Sequence, residues 1–378
     1  MPRFLHTADW QIGRRYSQFP DEDAVPLAEA RLAAVETIAR LAAEHRVDAV
    51  LVAGDVFDAQ TVSDRTLRRL FAALAAFSGP WVMIPGNHDA ALTESVWSRA
   101  MRLGAIPPNV HAVLQPGVLD FAAQGFAVLT APLTQRHTHD DLTAWFDAAE
   151  TPPGAVRIGL AHGSVEGILA EDIDSPNPIA SDRAASARLD YFALGDWHGC
   201  KRIDDRTWYS GTPEPDRFKD NDPGFALLVE LDGPGAIPQV TRLETARHAW
   251  RSASHIITVP SDVDAFVARL TEARAGDVLD VRVSGRVDLN GLSRVREALE
   301  RTDAAVRSLL ADISSLRLEP TEDDIARLNA DGYLGETLSV LRTLQGGTDP
   351  AVDTAVADRA LMIFAGLLLE RRDGASGA

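Results

Sequence analysis

The 378 residues exceed the length at which a single hydrophobic core usually stops growing, so one large domain and at least one smaller one are expected. Hydrophobic residues make up 46% of the chain without forming any run near the ~20 residues that span a bilayer, and Met1 leads almost directly into a strand-like segment, so no membrane crossing and a cytoplasmic protein are expected. One cysteine, Cys200, rules out an internal disulfide and a cysteine-held zinc cluster, and a formal charge of −18, with two lysines beside 35 arginines, rules out a surface coated in basic residues.

Up to about Leu231, short apolar runs alternate with polar or glycine-rich turns, with helix-like stretches between the early runs. Residues 4–8 read as a first strand, 27–44 as an amphipathic helix, 47–53 as a buried second strand, 64–77 as a second helix and 81–84 as a third strand. Residues 125–131, 156–161, 191–194 and 224–231 read as further strands with less helix between them. This rhythm predicts an α/β domain over residues 1–245, with two packed sheets flanked by helices.

Beyond the turn at Asp232-Gly233-Pro234-Gly235 the pattern changes, and residues 246–378 are expected to form a smaller α+β accessory domain with a helical C-terminus. Residues 254–259 and 278–287 read as strands, and 263–274 as a helix that Ser261 can cap. Helical segments are expected at 295–300, 322–329 and 351–371, and a flexible tail at 374–378.

Five segments carry chemistry: Asp9-Trp10-Gln11, Gly54-Asp55-Val56-Phe57-Asp58, Gly86-Asn87-His88-Asp89, His162-Gly163 and Gly195-Asp196-Trp197-His198-Gly199. Each follows a predicted strand, and ligands gather at the carboxyl ends of strands in open α/β sheets. Two cations about 3.5–4 Å apart need one bridging carboxylate and flanking O and N ligands to activate water and neutralise a phosphoryl transition state. Asp55 is the natural bridge, with Asp9 and His198 on one cation and Asn87, His162 and Asp196 on the other. His88, next to Asn87, suits the phosphate instead, as a proton donor to the leaving oxygen or a stabiliser of developing charge. Asp58 and Asp89 can orient ligand histidines, and helix capping is an equally good reading of Asp58.

These residues resemble the calcineurin-like metallophosphoesterase superfamily over about residues 3–231. Within it, His6-Thr7-Ala8-Asp9-Trp10 and Tyr209-Ser210-Gly211-Thr212-Pro213-Glu214 are similar to the SbcD-type DNA repair exonucleases. The resemblance implies a four-layer α/β/β/α sandwich, manganese-dependent cleavage of DNA phosphodiesters, a homodimer and an ABC-type coiled-coil ATPase partner. Two positions depart from the family pattern: Gln11 and Asp196 stand where relatives carry histidine. Gln11 is then expected to offer its carbonyl oxygen as a weaker ligand, loosening the cation shared with Asp9 and His198. The resulting oxygen-rich set favours manganese or magnesium over zinc.

Arg14, Arg15, Arg183, Arg188, Lys201, Arg202, Arg217 and Lys219 flank the first and last segments and are candidates for tracking a phosphate backbone, against a reading as solvated surface charge. Val352, Ala355, Val356, Ala360, Ile363, Phe364 and Leu367 lie at near-helical spacing, expected to face a core, with docking on a partner's helices as the alternative. A nuclease acting on DNA ends is the leading expectation. The alternatives are a phosphodiesterase or phosphatase for nucleotides or other small esters, and a DNA-binding or scaffold subunit impaired by Gln11.

Overall fold

The consecutive apolar residues 49–53 bury both faces of one strand, and the first unit is layered on either side of it. The computed structural model describes residues 1–167, 177–321, 324, 333–347 and 351–376, and the chain divides into two units, Met1–Ala249 and Trp250–Ala378. The first unit runs β1 (Arg3–Thr7), α1 (Asp21–Glu44), β2 (Ala49–Ala53), α2 (Asp64–Ala73), β3 (Trp81–Ile84), α3 (Val96–Arg102), β4 (Val110–Ala112), β5 (Gly117–Phe121), β6 (Phe126–Ala131), β7 (Val156–His162), β8 (Ser164–Val165) and β9 (Pro178–Ile179). It continues with α4 (Arg183–Ser186), β10 (Tyr191–Gly195), β11 (Lys201–Arg202), β12 (Thr207–Tyr209), β13 (Phe225–Glu230) and β14 (Gln239–Glu244).

Two six-stranded sheets result, ordered β14-β13-β1-β2-β3-β4 and β11-β12-β10-β7-β6-β5. The centre of each is parallel and the outer strands β13, β14, β11 and β5 are antiparallel. Alternation along each strand assigns the faces. Phe4, Ala49, Leu51, Val82, Val128, Ile158, Leu160 and Tyr191 fill the space between the sheets. Leu5, Val50, Val52 and Met83 pack outward against α1, α2 and α3 through Val35, Ile38, Leu67, Leu70 and Trp97. On the far side Leu129, Ala161, Phe192 and Leu194 meet Phe146, Ala184 and Ala187. The architecture is thus the four-layer α/β/β/α sandwich, with one thin helical layer made of α4 and a 3-10 turn at Ala144–Ala148.

Departures from the sequence reading have local causes. Helix α1 begins at Asp21, six residues early: Asp21, Glu22 and Asp23 fill its first turn, where acidic groups suit the helix dipole, and Pro26 lies inside it. The helix at 64 ends at Ala73 and tightens into a 3-10 turn over Leu74–Ala76. Helix α3, with Ser95 and Ser98 forming a capping box, and the short edge strands β4, β5, β11 and β14 lack a long apolar signature and are not anticipated.

The second unit contains β15 (Ala249–Ile257), α5 (Pro260–Leu270), β16 (Asp277–Val287), α6 (Leu289–Ala305), β17 (Ser308–Leu318), α7 (Tyr333–Gln345) and α8 (Thr354–Ser376). Its sheet is ordered β15-β16-β17, and Val263, Phe266, Val281, Leu292, Val295, Leu316, Leu338 and Leu361 form its core. Ser261 does not cap α5: Pro260 begins the helix and the Asp262 carboxylate accepts from the amides of Thr258 and Val259. Among the residues of α8 whose burial is described, Ala357, Leu361 and Ala365 are buried whereas Val356, Ile363 and Leu367 are exposed, so the expected core stripe is rotated. Helix α8 extends through Ser376 where a tail is expected from 374, and residues 377–378, like the helix expected at 322–329 apart from Asp324, lie outside the described residues.

Candidate metal centre

Parallel pairing of β1, β2 and β3 brings the turns carrying Asp9, Asp55 and Asn87-His88 to one edge of the first sheet. In the second sheet Gly195, the last residue of β10, is level with His162, the last of β7, so Asp196 and His198 emerge beside it. The sheets meet here because two glycines allow it. A Cβ on Gly195 would lie 2.0 Å from the Ala53 carbonyl oxygen, and one on Gly86 would lie 2.8 Å from His162 Cε1 across the sheets. All five segments converge.

Their backbone is held in unusual conformations. Asp9, Gln11, Asp55 and Asp196 all have positive φ, at 55°, 44°, 51° and 102°, a region that costs side-chain-bearing residues of order 1–3 kcal/mol each and persists only where the surroundings impose it. The first two turns are zipped together by Asp9 N–H to Gly54 O (3.1 Å), Gln11 N–H to Asp55 O (2.8 Å) and Ile12 N–H to Val56 O (2.9 Å). Buried Asp89, expected to orient a histidine, instead accepts from the amides of Gly86 (2.7 Å) and Phe57 (3.1 Å), tying the second turn to the third. Burial, with the charge of Asp55, lifts its carboxyl to about 7. Asp58 orients His88 through its main-chain oxygen, which accepts from Nδ1 at 2.8 Å.

Asp9, Asp55 and His162 each place a ligand atom within 4.8 Å of the others. His162 Nδ1–H donates to Ala53 O at 2.8 Å, which leaves the Nε2 lone pair facing Asp55 Oδ1 at 3.6 Å and Asp196 Oδ1 at 3.7 Å. That buried nitrogen has no hydrogen-bond partner, and neither does the buried Oδ1 of Asn87. Orphaned polar atoms each cost about 1–3 kcal/mol, so two among converging carboxylates fit a cation. Charge says the same. Burial disfavours a charged His162, but Asp55, Asp9 and Asp196 outweigh it and raise its imidazole to about 9, while burial raises the Asp9 carboxyl to about 6. This half of the centre is short of positive charge.

The other half is built differently. Gln11 turns its amide nitrogen toward Asp55 Oδ2 (3.5 Å) and His198 Nε2 (3.3 Å), and its carbonyl oxygen accepts from Arg14 Nη1 at 2.8 Å. The oxygen expected to face a cation is engaged by Arg14. His198 Nδ1 lies 3.2 Å from Asp216 Oδ2, and Arg217 Nη2 is 2.7 Å from the same ring nitrogen. Burial works to raise the Asp216 carboxyl, and the hydrogen bond and charge of His198 together with Arg31 outweigh it and hold it well below the usual range.

Asp216 and Arg31 escape sequence reasoning. Asp216 sits in the loop just beyond Glu214, which makes proximity to the Tyr209–Glu214 segment its only signal. Arg31 lies mid-helix, yet it is buried and uses all five guanidinium N–H groups, on Trp10 O, Asp9 O, Glu214 O, Thr212 Oγ1 and Tyr16 Oη. It sews the first ligand turn to the 212–214 loop, where Glu214 accepts from the amides of Arg247 and His248.

Residues 2–228 match the family described as calcineurin-like phosphoesterase, a span of more than half the chain. The chain belongs to this family. It is a metallophosphoesterase. Among its relatives, the D subunit of the SbcCD nuclease of Bacillus subtilis (strain 168) is 24% identical over 340 residues, covering 78% of this chain and 83% of that one. "DNA double-strand break repair protein Mre11" of Aeropyrum pernix is 30% identical over 257 residues, 63% of this chain and 60% of its own length. The corresponding SbcCD nuclease protein of Rhodobacter capsulatus reaches 42% over 94 residues, 24% of this chain and 22% of that one, so the latter two matches span less than two thirds of the relatives they align with. Among solved structures, that of TT1561 from Thermus thermophilus has a TM-score of 0.43 and 15% identity, covering 65% of this chain and 99% of that one.

The basic residues of the phosphoesterase do not form one surface. Arg14 and Arg217 reach the centre, both paired with Asp216. Arg183, expected to contact a phosphate backbone, is buried and spent on Asp141 (2.8 Å) and Asp147 (2.7 Å). Arg202 pairs with Asp205, and Lys201 lies over the Trp197 ring at 5.3 Å. Arg15, Arg188 and Lys219 are exposed. No helix among the described residues is long and apolar enough to cross a membrane.

Proposed function

We propose that this metallophosphoesterase is a nuclease that hydrolyses DNA phosphodiesters at duplex ends, acting as a homodimer in the cytoplasm with an ABC-type coiled-coil ATPase. The observation that carries the phosphodiester chemistry is the buried Asp9–Asp55–His162 cluster with its orphaned His162 Nε2. The DNA substrate is supported by the relatives named as SbcCD and Mre11 nuclease or repair proteins. We assign catalysis to residues 1–245 and an accessory role to 246–378.

Divalent metal, with manganese or magnesium favoured by the oxygen-rich donors, would supply Lewis acidity toward water and the phosphate. Asp9, Asp55, Asn87, His162 and Asp196 would hold the metal. His88, its Nδ1 fixed by Asp58 O and its side chain 30% exposed, directs Nε2 to the phosphate and gives a proton to the leaving oxygen. Arg14, Arg15, Arg217, Lys201 and Lys219 contact the DNA backbone. The net charge of −18 favours one second reading, small phosphoesters as substrates.

Purified protein with manganese, given labelled linear duplex, single-stranded DNA and bis-p-nitrophenyl phosphate, decides between them. Duplex cleavage, with at least about 100-fold loss in Asp55→Asn and His88→Ala, is expected. Turnover of the small ester alone establishes the second reading, and silence on all three substrates refutes both.

A further inference from the structure

Positive charge is already supplied on one side of the centre. Asp9, Asp55 and His162 converge on a common point with Nε2 unpartnered. Beside them, the Gln11 amide directs N–H groups at Asp55 Oδ2 and His198 Nε2, the lone pairs that a second cation would use. Its carbonyl oxygen, the one atom of that side chain able to ligate, is taken by Arg14. Turning the amide over would set its NH2 against the guanidinium, donor facing donor, so Arg14 fixes the orientation. Arg14 is itself held by Asp58 at 3.5 Å and Asp216 at 3.3 Å. A second guanidinium, Arg217, has Nη2 2.7 Å from Nδ1 and 3.2 Å from Nε2 of His198. The two arginine side chains are 25% and 41% exposed, within reach of an entering anion.

We propose that the centre holds a single divalent cation on its Asp9–Asp55–His162 side, and that Arg14 and Arg217, beside Gln11 and His198, present to the phosphate the positive charge that a second cation would otherwise provide. The proposal rests on the metal-dependent phosphoesterase reading and narrows it. A planar guanidinium matches two phosphate oxygens at once, and it suits a site whose ligand lone pairs are already occupied by N–H groups.

Manganese titration of the metal-stripped full chain by calorimetry, with electron paramagnetic resonance of the loaded protein, tests it without reference to turnover. The expected result is one manganese per chain with an uncoupled six-line spectrum, and two per chain with an exchange-coupled spectrum in Gln11→His. Two coupled ions in the unaltered protein would overturn the inference and leave the metal-dependent reading intact. No manganese binding at all would overturn both, and the hydrolysis assays with manganese would then be silent as well. A second measurement stands should Gln11→His not fold: inorganic phosphate is expected to bind manganese-loaded Arg14→Ala about tenfold or more weakly than the unaltered protein. Equal affinity would refute the role given to Arg14.

Discussion

Arg31 Nη2, from within helix α1, donates to the main-chain oxygen of Asp9 at 2.8 Å. The outer helical layer thereby grips the backbone of the first ligand turn, whose positive φ needs external support. With all five N–H groups engaged and the residue 2% exposed, no smaller cation reproduces the arrangement. Arg31→Met is expected to cost about 3–5 kcal/mol in urea unfolding, the loss typical of breaking a buried charged network. Arg31→Lys, with three donors in place of five, is expected to recover only part. A loss below about 1 kcal/mol would show that the network carries little energy.

How far the sequence speaks depends on whether a residue acts where it stands. The turns of the candidate site were legible because Asp9, Asp55, Asn87, His162 and Asp196 each follow an apolar run, and parallel sheets send such turns to one edge. Strand β3 matches its predicted bounds, since Trp81–Ile84 is buried on both faces and ends at a Pro-Gly turn. Strand β14, by contrast, exposes most of its residues at a sheet edge, and edge pairing leaves little hydrophobic pattern to read.

Orientation was less legible than position. That Gln11 sits at the centre follows from its place after β1, but which amide atom faces inward depends on Arg14, three residues on, and hence on the whole loop. Arg31 reaches Thr212 and Glu214 across about 180 residues of sequence, and Asp216 reaches Arg14 across a similar span, distances over which no periodicity operates. Arg183 illustrates the converse, a basic residue beside a functional segment that is internal to its own ion pairs.

His6 offers a stability switch with a definite sign. Its ring, fully buried, bridges the sheets: Nε2–H donates to Leu194 O at 3.1 Å, which leaves Nδ1 to accept from Tyr191 Oη at 2.9 Å. Burial lowers its pKa from 6.5 to about 3, against the hydrogen bond to Leu194. Because the folded value is the lower one, its contribution is complete above pH 6.5, where the unfolded chain is also neutral, and falls as the pH drops through the window down to about 3. Near pH 5 the loss is expected to reach about 2 kcal/mol. His6→Phe leaves the two partners unpaired at every pH but cannot take up the proton. Its deficit relative to the unaltered protein should therefore shrink between neutral pH and pH 5, as read by urea unfolding, and a constant deficit would contradict this account.

Asp216 is expected to act on catalysis by ordering His198, Arg14 and Arg217 beside the phosphate. Its Oδ2 is 3.2 Å from Nδ1, which fixes the ring so that Nε2 points at the centre, and the same carboxylate restrains Arg14 at 3.3 Å and Arg217 at 3.0 Å. Replacing it with asparagine keeps the shape and one acceptor while removing the charge that orders all three side chains. Loss of such a supporting partner typically costs 10–100-fold. The expected result for Asp216→Asn is a fall in kcat of about that size with KM for bis-p-nitrophenyl phosphate unchanged or lower, because the two guanidinium groups become freer to bind phosphate. A purely structural role would instead lower the concentration of active protein, leaving KM unaltered and kcat per folded molecule intact. Active-site counting by manganese content, together with the imidazole proton shifts of His198, separates the two outcomes. Unchanged shifts and a full kcat per bound ion would remove Asp216 from the chemistry.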